Sequence, residues 1–175
     1  MESTTAVFIL LIATVIIGLV VFALTSIFSS YIASNSAISS YASDVAQGLY
    51  ISKTVAVNSS GNYYSIVIVP TDFNYNGTIY LTAIAVNPAL YGNNQISPYQ
   101  GSFTAEINGT IPSNSPVTLY TTSLHELYSG NAPIWKSVMG ATQIVNIPKG
   151  YDAIVWIFIP TQKGLVEVGY VWLED

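Results

Sequence analysis

The chain has 175 residues, 51% of them apolar and only 7% charged, with a formal net charge of −5, four Lys, no Arg and no Cys. Four scattered lysines cannot displace the counterions of a phosphate backbone, so nucleic acid is not an expected partner. The missing cysteines exclude disulfides, thiolate nucleophiles and Cys-type metal sites, and the scarcity of charge leaves surface polarity to Ser, Thr, Asn and Tyr, whose hydration hardly changes with pH.

Residues 1–5, MESTT, place an acid and hydroxyls ahead of an apolar run, which is helix-start chemistry: Glu2 at the positive end of the dipole, Ser3 and Thr4 for the free N–H groups. Ala6 to Phe28 then runs without a charge or a proline. A helix of that length, roughly 35 Å at ~1.5 Å per residue, spans the hydrocarbon of a bilayer. No basic residue flanks it, since the first in the chain is Lys53. A plain membrane anchor would carry Lys or Arg on its cytoplasmic side, and a secretory signal would have a basic start and a shorter apolar core. The expected home of this segment is therefore lipid at first and copies of itself later.

From Ser29 to Gly48 the pattern changes without a breaker. Ile27, Tyr31, Ile38, Tyr41, Ala42, Val45 and Leu49 recur at steps of three and four, the stripe of an amphipathic helix. One helix of about 45 residues, ending at Gly48, is the reading. Its second half is expected to pack on the following domain through Tyr31, Ile38, Tyr41, Val45 and Leu49. Domain organisation follows: residues 1–48 form an apolar assembly or transmembrane helix and 49–175 a head.

Beyond Leu49 the period becomes two. Strands are expected over 50–57, 63–69, 78–86, 102–107, 117–122, 143–147, 151–159 and 165–172, with 123–142 left as a loop holding a short helix or edge strand. Seven or eight strands rich in Val, Ile, Thr and Tyr predict an antiparallel, immunoglobulin-like sandwich, and the fold class is α+β. The run from Ala153 to Ile159 is apolar on both faces, so that strand should be central, or covered on its second side by the long helix.

Catalytic chemistry is thin. The single histidine, His125, stands beside Glu126 with too few partners for zinc or acid–base work. Asp72, Asn74, Asn76 and Gly77 space oxygen donors like an EF-hand loop, but the position that should hold the closing Glu is Ala83. No cofactor and no enzymatic activity are expected. Three sequons, at Asn58, Asn76 and Asn108, are candidate glycan acceptors at turn-like positions.

A long apolar N-terminal helix, amphipathic in its second half and leading into a charge-poor β head, resembles the archaeal type IV filament proteins, the pilins, archaellins and their relatives. The likeness is most specific in residues 3–28, STTAVFILLIATVIIGLVVFALTSIF. Thr5 and Phe22 stand where bacterial pilins carry Glu and Pro, so the resemblance is to the archaeal branch. It implies a precursor trimmed of a basic leader, with Met1 as mature first residue, and a homopolymer whose core is built by Phe8, Leu11, Val15, Gly18, Leu19, Phe22 and their neighbours. Implied partners are further copies, the membrane before assembly, N-glycans and the surface layer. The alternative is a membrane-held accessory or stator subunit of the archaellum with an ectodomain that binds the surface layer.

Overall fold

The computed structural model describes residues 2–56, 61–90, 98 and 103–174, so Asn58 and most of the 87–101 connection lie outside the described residues. Among the described residues one helix, α1 (Glu2–Gly48), precedes eleven strands. They are β1 (Tyr50–Ala56), β2 (Tyr63–Thr71), β3 (Thr78–Val86), β4 (Phe103–Thr104), β5 (Glu106–Ile107), β6 (Asn114–Tyr120), β7 (Glu126–Pro133), β8 (Trp135–Val138), β9 (Gln143–Pro148), β10 (Asp152–Pro160) and β11 (Leu165–Leu173), with a single 3-10 turn at Pro88–Leu90. The fold is α+β, a long apolar helix followed by a β-sandwich head. By internal contacts the chain divides into residues 1–38 and 39–175, so the last turns of α1 belong with the head.

The helix of the first unit has no proline to break its ladder, and its two interior threonines satisfy themselves. Thr14 and Thr25 donate their hydroxyls to the carbonyls of Leu10 (2.6 Å) and Val21 (2.8 Å), the i−4 back-bond that lets a polar side chain sit on an apolar helix.

In the head, four strands form a sheet in the order β1-β2-β9-β5, and the others form a second sheet, β4-β3-β10-β11-β6-β7, with β8 also paired to β3. All pairs are antiparallel except β11 with β6, which runs parallel at Leu165 opposite Leu119 and Val166 opposite Tyr120. The expected α+β sandwich is what the head forms; within it there are eleven strands where seven or eight were expected, and one pair is parallel. The extra strands come from residues 123–142, which hold β7 and β8, and from the 102–107 stretch, which divides at Ala105 into β4 and β5. Segment 123–142 hid its strands because β7 carries Gly130, Asn131 and Pro133 in its second half, residues that read as loop.

The larger sheet curls. β7 pairs with β6, while β8, one residue further on past Ile134, pairs with β3 at the far side of the same sheet. The Thr82 hydroxyl donates to the Pro133 carbonyl at the corner. Inside the curl Ile84, Val86, Leu119, Ile154, Trp156 and Phe158 form one cluster, joined by Val117, Tyr128 and Ile134. The opposite face of β10, made of Ala153, Val155, Ile157 and Ile159, is also fully buried, and β10 and β3 there meet β9 of the smaller sheet. The two-sided apolar run is thus central, one face enclosed by the curl of its own sheet and the other covered by the smaller sheet. Full burial of side chains of this size is worth roughly 1.5–3 kcal/mol each.

Candidate functional site

Every residue from Ser3 to Ser34 is exposed. Among them are the side chains expected to build an assembly core: Phe8 (65% exposed), Leu11, Val15, Leu19 and Phe22 (73%), with Gly18 open on its free side. An 18-residue window of α1 reaches a mean hydropathy of 3.2, so the helix is long and apolar enough to cross a membrane. It is apolar all round, the pattern of a helix that is surrounded, in lipid or in protein. No water-facing unit retains such a surface at equilibrium, because contiguous apolar patches beyond a few hundred Å² mark contact sites.

In the head unit, part of the stripe at the end of α1 is buried. Ala42 is fully buried and Val45 is 3% exposed. Tyr41 meets Tyr75 edge-on, with ring centroids 6.3 Å apart at 77°, the arrangement that aligns a ring edge with a π face. The Tyr75 hydroxyl donates to the Thr78 carbonyl at 2.5 Å, and burial, with Tyr41 and Tyr80 nearby, raises its phenol above the ordinary range. Ser39 donates to the Thr122 carbonyl at 2.7 Å. Leu49 settles on β11 at Gly169, where a Cβ would come within 2.6 Å of the leucine Cδ2. A side chain at 169 would make that flexible leucine end shift, a proximity that the periodicity of α1 could not reveal. Tyr31 and Ile38, the other two residues of the stripe, fall in the first unit, and Tyr31 is 58% exposed.

The two sequons within the described residues differ. Asn76 is exposed, in the loop between β2 and β3. Asn108 occupies the left-handed region (φ 52°) with Gly109 (φ 77°), forming the tight turn closed by the Ile107–Thr110 bridge. Its side chain is committed: Oδ1 accepts from the Ile144 amide at 2.8 Å, and Nδ2 donates to Oε1 of the buried Gln143 at 2.9 Å. The sequon spelling is identical in the two; only the fold separates a free amide from a structural one.

His125 and Glu126 are exposed neighbours at the start of β7. No group of three or more His, Cys, Asp or Glu able to hold a metal occurs among the described residues. The carboxylate of Asp72 serves its own loop instead: Oδ1 accepts from the amides of Asn74 and Tyr75, both at 2.7 Å. A shallow groove of about 350 Å³ on the β6–β7 hairpin, lined by Pro116, Val117, Thr118, Ser129, Gly130 and Asn131, contains no titratable side chain. Glu167 on β11 sits half-buried, and desolvation raises its carboxyl above the usual value.

No family model and no curated protein matches the chain. Among solved structures it is similar to the reeler domain of human F-spondin, at 11% identity over 71% of this chain and 86% of that one, with a TM-score of 0.31. A structure described as the Reelin-N domain of F-spondin gives 13% identity over 77% and 95% of the two chains, with a TM-score of 0.29. Likeness at that level carries no argument about what this chain does.

Proposed function

We propose that the chain is the structural subunit of an extracellular, archaeal type IV pilus-like filament, polymerising through residues 6–28 with the β heads outside. The observation that carries this reading is the contrast between an all-round apolar helix with no cover from residue 3 to residue 34 and a head that buries its own core. Before assembly the helix resides in the membrane. During assembly Phe8, Leu11, Val15, Leu19 and Phe22 exchange lipid for sister helices. Lipid tails are as apolar as leucine, so dispersion and close fit drive the exchange, with Gly18 as the place of nearest approach.

On this reading the head faces the outside, and Asn76 is the sequon suited to carry a glycan, since its amide is in an exposed loop while that of Asn108 is engaged. Contacts with a surface layer belong to the same exterior.

The test is to shear surface threads from cells and identify their major subunit by mass spectrometry together with its N-terminal residue. Recovery of this chain as the major component, beginning at Met1 after removal of a basic leader, is the expected result. Recovery only from detergent-extracted envelopes, with an initiator Met and no thread containing it, would replace the filament by the membrane-held accessory subunit.

A further inference from the structure

The head treats its strand edges unequally. In the larger sheet the curl brings the 126–138 segment to both lateral ends. Its free rim along β7 carries Glu126, Gly130 and Pro133, and the Asn131 carbonyl is occupied by the Tyr128 hydroxyl at 2.9 Å. β4 and β5 are two residues long, and β8 is four with Lys136 in it. Beside β5, the outer edge of β9 is capped, because the Ile144 amide donates to Asn108 Oδ1 and its carbonyl accepts from the Asn108 amide at 2.7 Å. Shortness, charge, proline and side-chain caps are the devices that keep an edge from accepting another strand.

β1 has almost none of them. Its seven residues, YISKTVA, contain no Gly or Pro, and it pairs only with β2, in register from Tyr50 opposite Thr71 to Ala56 opposite Ser65. Ser52, Lys53, Thr54 and Val55 are exposed, Val55 by 64%. Lys53, the one charge, has its ammonium donating to the Trp172 carbonyl at 3.3 Å. Backbone donors and acceptors along such an edge are satisfied by water or by another strand.

Strand addition needs an edge on both partners; among the described residues β11 also lacks a strand on its outer side beyond Val166, but Leu49 lies against its Gly169 and the Lys53 ammonium takes its Trp172 carbonyl, which leaves β1 as the long open edge. We infer that β1 is a self-pairing surface, on which the β1 of a second copy adds antiparallel to join two four-stranded sheets across a two-fold axis. Greatest overlap, centred on Lys53, would set ammonium against ammonium, which antiparallel pairs disfavour. Centring on Thr54 sets Lys53 of each copy against Val55 of the other, covering that exposed side chain with the lysine stem. A two-fold contact is closed and cannot propagate along a polar filament, so in threads it ties neighbouring filaments side by side. This inference rests on the filament reading for its consequence but not for its contact, which two extracted chains can also make.

The native chain has no cysteine, so one introduced residue reports cleanly. Thr54→Cys and, as a control on the rim of β7, Ser129→Cys are made in the full-length chain and oxidised mildly, both on sheared threads and in detergent extract. Directly opposed residues lie within disulfide reach. The expected result is a covalent two-chain product for Thr54→Cys, at least tenfold more abundant than for Ser129→Cys, and its suppression when Val55→Lys is added. Equal yields from the two positions, no product from Thr54→Cys, or a yield indifferent to Val55→Lys would overturn the inference. Failure of the filament reading shows separately, as absence of the chain from threads.

Discussion

The first 38 residues and the remaining 137 bury their apolar side chains in opposite ways. In the head Phe158, Leu81, Ile157 and Leu119 are fully enclosed by strands of the same chain. In the helix side chains of the same kinds, Phe8, Leu11, Ile16 and Leu19, are more than half exposed. Hydrophobicity is common to both regions; what differs is the origin of the cover. The head carries its partners within its own sequence, and the helix requires them from outside, which makes one region a folding unit and the other an interface.

The largest expected effect comes from charging the helix. Val15→Lys puts an ammonium at its middle, where lipid insertion alone resists by about 2.5–3.5 kcal/mol, and in a close-packed bundle the same charge recurs in every copy. Threads should disappear, while the melting temperature of the head in detergent stays unchanged. A parallel loss of head stability would erase the distinction between the two regions. The mirror experiment is Phe158→Ala, which empties the centre of the curl and should cost about 3–5 kcal/mol, measured as unfolding of the head in denaturant. A value near zero would mean that the curl is not a packed core.

Smaller effects sharpen the account of the head. Asn108→Ala strips the Ile144 amide and the Gln143 amide oxygen of their partner and leaves a β-carbon residue without a polar tip at φ 52°, a loss of roughly 1–3 kcal/mol in the same unfolding measurement. Asn76→Ala at the other sequon should leave stability within about 0.5 kcal/mol of the parent, while removing any glycan mass the mature chain carries there.

The least effect is a pH dependence. Glu167 has its carboxyl raised in the folded head by desolvation, so the folded state holds the proton more tightly than the unfolded chain. In acid, below the ordinary carboxyl range, the group is neutral in both states and Glu167→Gln changes nothing. As pH rises through the folded value, ionisation destabilises the parent alone. The variant should therefore gain on the parent between acid and neutral pH and keep a constant lead above. A gap that opens toward acid would contradict the burial assigned to Glu167.

Much of this architecture was legible in the sequence because it is written in runs. Ala6–Phe28 declares a helix by length, Ala42 and Val45 by spacing, and β10 its central position by being apolar at every residue. What local reading could not reach depends on pairs far apart in the chain. The curl is made by the adjacency of β7 to β6 and of β8 to β3, and nothing in Glu126–Val138 announces two opposite partners. Leu49 lies against Gly169 over a separation of 120 residues. Asn108 and Asn76 carry the same Asn-Gly-Thr triplet and part company only when Gln143 and Ile144 arrive. The open edge of β1, likewise, is visible only once the other edges have been accounted for.

The most direct test of the claim that the helix is covered by its own kind is a density map of the sheared threads at a resolution that traces side chains. The account predicts a core of bundled helices in which Phe8, Val15 and Phe22 of one subunit touch residues 6–28 of its neighbours, with β heads outside. A thread core built from another polypeptide, with this chain found only as single molecules in the envelope, would contradict it.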